Sequence, residues 1–146
     1  MVNLDFPFYD FKIRKTDQNK ALIFDELRKK YVNLTPEEWV RQHILRMLKE
    51  KKYPTSLTSV EKEIKLFSTK KRFDILVSDS KGKPILLVEC KAPDVKLTQK
   101  VFDQLSRYNT VLKAPLLMVS NGIKHYYLKF ENNEYQFLEA CPDYYH

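Results

Sequence analysis

Three charged side chains in the middle of the chain, Asp74, Glu89 and Lys91, have the types and spacing to do chemistry. Two carboxylates suit a hard, oxygen-seeking cation such as Mg2+, which takes one or two carboxylates and completes its shell with water and substrate phosphate oxygens. Such an ion acidifies bound water and neutralises charge developing on a phosphodiester. A neighbouring lysine can orient or help deprotonate the attacking water, or stabilise the pentacovalent phosphorus. The backbone carbonyl of Cys90, between the two functional side chains, is a further candidate ligand. The competing account is a structural Asp/Glu/Lys network bridging two strands. Ile85-Leu86-Leu87-Val88 is too apolar for a solvated edge, which puts Glu89 and Lys91 at the end of a buried strand. Buried acids need a partner or a metal.

The elements that must position these groups are two strands and a turn. Phe73, Ile75 and Val77 alternate with Asp74, Leu76 and Ser78, and Leu86, Val88 and Cys90 alternate with Ile85, Leu87, Glu89 and Lys91. Asp79-Ser80-Lys81-Gly82-Lys83-Pro84 between them is a turn signal. A hairpin closing at Asp79 against Pro84 sets Asp74 opposite Glu89, with Cβ atoms roughly 5 Å apart. Lys91, two residues on, shares the face of Glu89. A one-residue slip would separate the acids and expose half the apolar set, so the apolar pattern and the polar cluster select the same register.

The 146 residues form a single domain, read as an N-terminal arm and short helix over 1–34, a core over 35–123 and C-terminal strands over 124–146. With 26 Lys and Arg against 19 Asp and Glu, the net charge of +7 favours a polyanionic partner such as nucleic acid. Only Gly82 and Gly122 occur, so a phosphate-cradling P-loop and a dinucleotide fingerprint are excluded. Cys90 and Cys141 lack metal-ligand spacing and read as free thiols. No apolar run approaches the roughly 20 residues a membrane span needs, and no basic segment with an apolar signal core opens the chain. A cytoplasmic location is the expectation.

Residues 1 to 17 carry Phe6, Phe8, Tyr9 and Phe11 and then basic residues, the composition of an extended arm or edge strand that lays its rings on the domain. A short helix is expected from about Ala21 to Tyr31. Thr35-Pro36-Glu37-Glu38 opens a second helix to about Lys51, with Thr35 as N-cap, Pro36 at the first helical position and Glu38 closing a capping box. Its stripe of Val40, Ile44, Met47 and Leu48 puts Glu37 near the centre and Glu38 on the flank. Either acid could serve the site or merely offset the helix dipole. A strand follows from Val60 to Phe67. Lys70, Lys71 and Arg72 are expected in the next turn, where Lys71 and Arg72 could meet a phosphate backbone. Thr98 caps a helix to about Lys113, on which Gln104 and Tyr108 are neighbours. Strands at 115–120, 123–130 and 134–138 finish the chain, separated by Asn121-Gly122 and Asn132-Asn133. The fold class is α/β, a mixed central β-sheet flanked by helices.

Arg72-Phe73-Asp74-Ile75 followed by Val88-Glu89-Cys90-Lys91-Ala92-Pro93 resembles the catalytic core of the PD-(D/E)XK nuclease superfamily. Thr35 to Gln42, Gln104-Leu105-Ser106-Arg107-Tyr108-Asn109 and Ser120-Asn121-Gly122 extend the resemblance to the N-terminal nuclease domain of type I restriction enzyme R subunits, over roughly Thr35 to Ile123. The resemblance implies a restriction-endonuclease-like core that cleaves DNA with Mg2+, or Mn2+ in its place. It implies Asp74 and Glu89 as metal ligands, Lys91 as the catalytic lysine, Glu37 or Glu38 as an additional ligand, and Gln104 with Tyr108 as site support and DNA contact. Phe73 stands where the superfamily has its nominal proline. No helicase motifs are present, so ATP-coupled restriction is not a property of this chain alone, which could be a stand-alone relative, a fragment, or a subunit that depends on a separate motor or specificity partner. A catalytically silent DNA-binding or assembly module with the same fold is the alternative.

Overall fold

The computed structural model describes residues 1–144. Strands β1 (Ile13–Lys15), β2 (Ala21–Asp25) and β3 (Lys30–Asn33) make a small antiparallel sheet in the order β1-β2-β3. Helix α1 (Pro36–Glu50) follows, then one turn of 3-10 helix at Thr55–Leu57. Strands β4 (Thr58–Leu66), β5 (Thr69–Ser78) and β6 (Pro84–Cys90), helix α2 (Gln99–Leu112), and strands β7 (Leu116–Ser120), β8 (His125–Glu131) and β9 (Glu134–Leu138) complete the chain. The second sheet runs β4-β5-β6-β7-β8-β9. Its neighbours are antiparallel except β6 and β7, which lie parallel because α2 carries the chain back between them. This is the expected α/β architecture with a mixed central sheet.

Alternate side chains of that sheet feed two cores. Ile75, Val77, Leu86, Val88, Cys90 and Met118 pack with Val40, Ile44, Met47 and Leu48 of α1. Phe73, Leu76, Leu87, Leu117 and Val119 pack with Leu105 of α2. Each such side chain contributes about 1.5–3 kcal/mol when fully buried, so both cores together hold the register. β5 meets β6 at Ile75↔Val88, Leu76↔Leu87 and Val77↔Leu86, as the sequence pattern requires. The turn differs from the expectation. Ser78, not Asp79, faces Pro84, and a bulge between Val77 and Ser78 absorbs the difference. Asp79 tightens the loop because its Oδ1 accepts the Lys81 and Lys83 amides at 2.9 Å.

The helix expected over residues 21–31 is a correction: that stretch is β2, a turn and the start of β3. Asp25 Oδ1 accepts the amides of Leu27 at 2.7 Å and Arg28 at 2.9 Å, and Lys29 takes a left-handed φ of 55°. The Asp side chain supplies local bonds that compete with a helix. At α1, Thr35 Oγ1 accepts the Glu38 amide at 3.0 Å. The return half of the capping box is not made, since the Thr35 amide donates to Asn33 O and the Glu38 carboxylate is engaged elsewhere. Thr98 stands at the N-cap of α2 without a side-chain cap bond. Lys70, Lys71 and Arg72 lie within β5 rather than in a turn, because Phe67 and Ser68, at φ 53° and 64°, already close the β4–β5 hairpin. β8 starts at His125, later than expected, because Asn121 Oδ1 holds the Ile123 and Lys124 amides in a longer loop.

The N-terminal arm lays its rings on α1, as its composition suggests. Phe6 and Phe11 stack near His43 at centroid distances of 5.5 and 4.8 Å, and Tyr9 donates to Glu50. Phe8 alone of the four aromatics stands out in solvent.

Candidate active site

The site forms where the strand ladders stop. The β5–β6 register ends at Ile75↔Val88, and beyond it the Cys90 N–H donates to Asp74 Oδ2 at 2.7 Å. A carboxylate thus completes the hydrogen bonding at a fork between two strands, and the direct Asp74–Glu89 rung expected from the register is not made. On the other edge of β5, the pairing skips from Val60↔Ile75 to Lys62↔Phe73, and the intervening Glu61 sits at φ 55°. A left-handed residue other than glycine costs on the order of 1 kcal/mol. Asp74 therefore occupies a break in both of its ladders.

On the α1 side of the fork, Asp74 Oδ1 lies 3.1 Å from Arg41 Nη2. The same guanidinium reaches Glu38 at 2.8 Å, Glu61 at 3.4 Å and Glu37 at 3.7 Å. Arg28, in the β2–β3 turn, donates to Asp25 Oδ2 at 2.6 Å and to Glu38 at 2.9 and 3.0 Å. Gln42 Nε2 donates to Asp25 and Glu38, each at 3.0 Å. This geometry separates the two helical acids. Glu38 is buried and spent on two arginines and a glutamine, whereas Glu37 is half-buried beside Asp74. Burial, and then the Asp74 charge, raise the Glu37 carboxyl above its ordinary range, with Arg41 and Lys91 opposing.

On the α2 side the balance is different. Glu89 is buried, its Oε1 accepts no hydrogen bond, and Lys71 Nζ stands 3.2 Å from that atom as an ion pair. Burial first and Asp74 second push the Glu89 carboxyl up to about 7, with Lys71 and Lys91 opposing. Lys91 and Gln104 line a small pocket with Lys71, Glu89, Val101 and Leu105. Tyr108 stands edge-on to Phe73 at 6.2 Å, and the Lys71 ammonium lies 5.7 Å from its ring centroid. Arg72 is exposed and pairs with Glu63 at 3.4 Å. The Cys90 thiol belongs to the α1-side core, where burial raises its pKa well above the ordinary value.

Among the described residues, no three His, Cys, Asp or Glu side chains converge closely enough to cage a metal ion. The donor set still fits a Mg2+-type ion, which asks for only one or two carboxylates and keeps its waters. The buried Glu89 Oε1 has the Lys71 ammonium, 3.2 Å away, as the partner a cation would replace.

The family model described as the type I restriction enzyme R protein N terminus (HSDR_N) matches residues 36–142. The chain belongs to that family. A fragment described as an HsdR subunit of a type I restriction enzyme from Vibrio vulnificus YJ016 shares the fold, with a TM-score of 0.53 and 22% identity over 75% of this chain. The match spans 24% of that chain, so the present sequence corresponds to about a quarter of its length. No curated protein matches. β1, β2 and β3 precede the residues matched to the R protein family.

Sequence reasoning missed Arg41, Arg28 and Asp25, and it set Lys71 in a turn facing a phosphate backbone, whereas Lys71 lies in β5 and pairs with Glu89. Arg41 had a signal: it follows Glu38 by three residues and Glu37 by four on one helix. Arg28 and Asp25 had none once residues 21–31 were read as a helix.

Proposed function

We propose that the chain is a Mg2+-dependent endodeoxyribonuclease domain that hydrolyses DNA phosphodiesters, with Mn2+ able to substitute. Membership of the R protein N-terminal family supports this reading. The single observation that carries it is the fork, where the buried Glu89 feels the charge of Asp74 with Lys71 and Lys91 opposing, in a chain of net charge +7. Asp74, Glu89 and the Cys90 carbonyl would hold the ion, with Glu37 as the additional carboxylate. A bound ion supplies charge neutralisation at the phosphate and an acidified water. Lys91 orients that water or stabilises the phosphorane. Lys71 balances Glu89 until substrate arrives. Gln104 and Tyr108 support the wall of the pocket, and exposed Arg72 meets the phosphate backbone. A motor or specificity subunit is a candidate partner, in the cytoplasm.

Plasmid incubated with Mg2+ or Mn2+ tests the proposal beside Lys91→Ala and Asp74→Ala. Nicking by the wild type and none by either variant is expected. Equal nicking by all three, or none with any metal at any protein concentration, removes intrinsic catalysis. One observation favours a second reading, a silent DNA-binding or assembly module: both Asp74 oxygens are already occupied, by Arg41 and by the Cys90 amide. That module would retain duplex DNA with a steep salt dependence and never cleave it.

A further inference from the structure

We propose that Arg41 is a positioning residue for Asp74, and that the N-terminal sheet sets Arg41 in place through Arg28 and Glu38. Asp74 has one oxygen on the Cys90 amide and the other on Arg41. Remove the second bond and the carboxylate keeps a single tether about which it can turn. Arg41 cannot aim itself, because a long flexible stem carries its planar fork. Glu38 and Glu61 hold its Nη1 at 2.8 and 3.4 Å. Glu38 is in turn fixed by Arg28 and Gln42, and Arg28 is anchored on Asp25.

Asp25 is fully buried, and it accepts from the Leu27 and Arg28 amides, from Arg28 Nε and from Gln42 Nε2. It is the fixed end of an unbroken line of charge-assisted hydrogen bonds, Asp25–Arg28–Glu38–Arg41–Asp74. Planar forks at both arginines make the line directional, because each guanidinium grips one acid with its geometry set by another. The anchor lies in the N-terminal sheet, which precedes residues 36–142 matched to the family. The functional meaning rests on reading Asp74 as a metal ligand. The geometry itself does not.

Amide exchange followed by NMR on the full chain tests the brace without metal or DNA. The Cys90 amide donates to Asp74 and reports its position, while the adjacent Lys91 amide donates to Ser120 O at 2.9 Å and serves as an internal control. Arg41→Lys is expected to speed exchange at Cys90 about tenfold, the worth of one hydrogen bond, with Lys91 unchanged. Arg28→Lys, which leaves Arg41 in place, is expected to shift Cys90 in the same direction by less, and it carries the test alone if Arg41→Lys does not fold. An unchanged Cys90, or Cys90 and Lys91 accelerating together, overturns positioning in favour of a merely structural network. Mn2+ affinity measured by calorimetry is expected to fall about tenfold in Arg41→Lys, and an unchanged or tighter affinity overturns the proposal. A wild type that binds no Mn2+ and cleaves nothing would sink the nuclease reading while the exchange result stood.

Discussion

The two sides of the fork treat their carboxylates in opposite ways. On the α1 side Glu38 and Asp74 are met by arginines, an amide and a glutamine at hydrogen-bond distance. On the α2 side Glu89 is buried with only the Lys71 ammonium within ion-pair distance, and burial raises its pKa to about 7. Satisfied ionic networks fix geometry, and a buried acid short of partners is a place where a ligand can add stabilisation. The saturated side thus reads as the frame and the frustrated side as the working surface.

The largest effect should come from breaking the frame. Glu38→Ala leaves Arg28 and Arg41 without their shared partner and is expected to cost about 3–5 kcal/mol, read from urea denaturation. A loss no larger than about 1 kcal/mol, typical of an exposed pair, would erase the distinction between the two sides.

Removing the charge on the working side should do the reverse. The folded Glu89 pKa of about 7 lies above the ordinary 4.5, so the protonated form is the one the fold favours. Its contribution to stability is complete below pH 4.5 and is lost as pH rises through about 7. Glu89→Gln is therefore expected to be more stable than the wild type at pH 8, by at most about 3 kcal/mol, with the difference vanishing near pH 4.5. A thermal-melt series that shows parallel pH curves for the two proteins would contradict the assignment. The same proton competes with a cation, so Mn2+ affinity should climb about tenfold per pH unit below pH 7 and level off above it. Lys71→Met, which removes an opposing charge, should raise the Glu89 pKa further, seen as a shift of that levelling point to higher pH.

Much of this was legible in the sequence. The run from Ile85 to Val88 and the alternation of Ile75 and Val77 with Leu76 specify a buried hairpin in one register, because any slip exposes half of its apolar set, whereas Phe73, expected on the face of Ile75 and Val77, packs on the α2 side beyond the break at Asp74. That register brought Asp74 and Glu89 to the same fork. The bulge that keeps the register despite a tighter turn was not legible, since it depends on how Asp79 folds back on its own loop. Nor was the brace. Ala21 to Tyr31 has apolar residues at helical spacing, and the local bonds from the Leu27 and Arg28 amides to Asp25 Oδ1, with Gln42 reaching Asp25 from α1, favour a hairpin instead. Helical phase favoured Glu37 while the capping box kept Glu38 open, and one of the two arginines that occupy Glu38 comes from that misread segment.

The smallest effect concerns the helix turn shared by both acids. Thr35→Ala removes the cap bond to the Glu38 amide and is expected to cost about 1 kcal/mol, measured by thermal denaturation, with Glu38 still held by its arginines. Complete loss of the fold would mean that the cap, not the ionic line, orders the start of α1.

Anomalous diffraction from a crystal soaked in Mn2+ tests the central claim most directly. An ion ligated by Asp74 and Glu89 at the fork is the expected result. A crystal saturated with Mn2+ that holds no ion on those two carboxylates would contradict it.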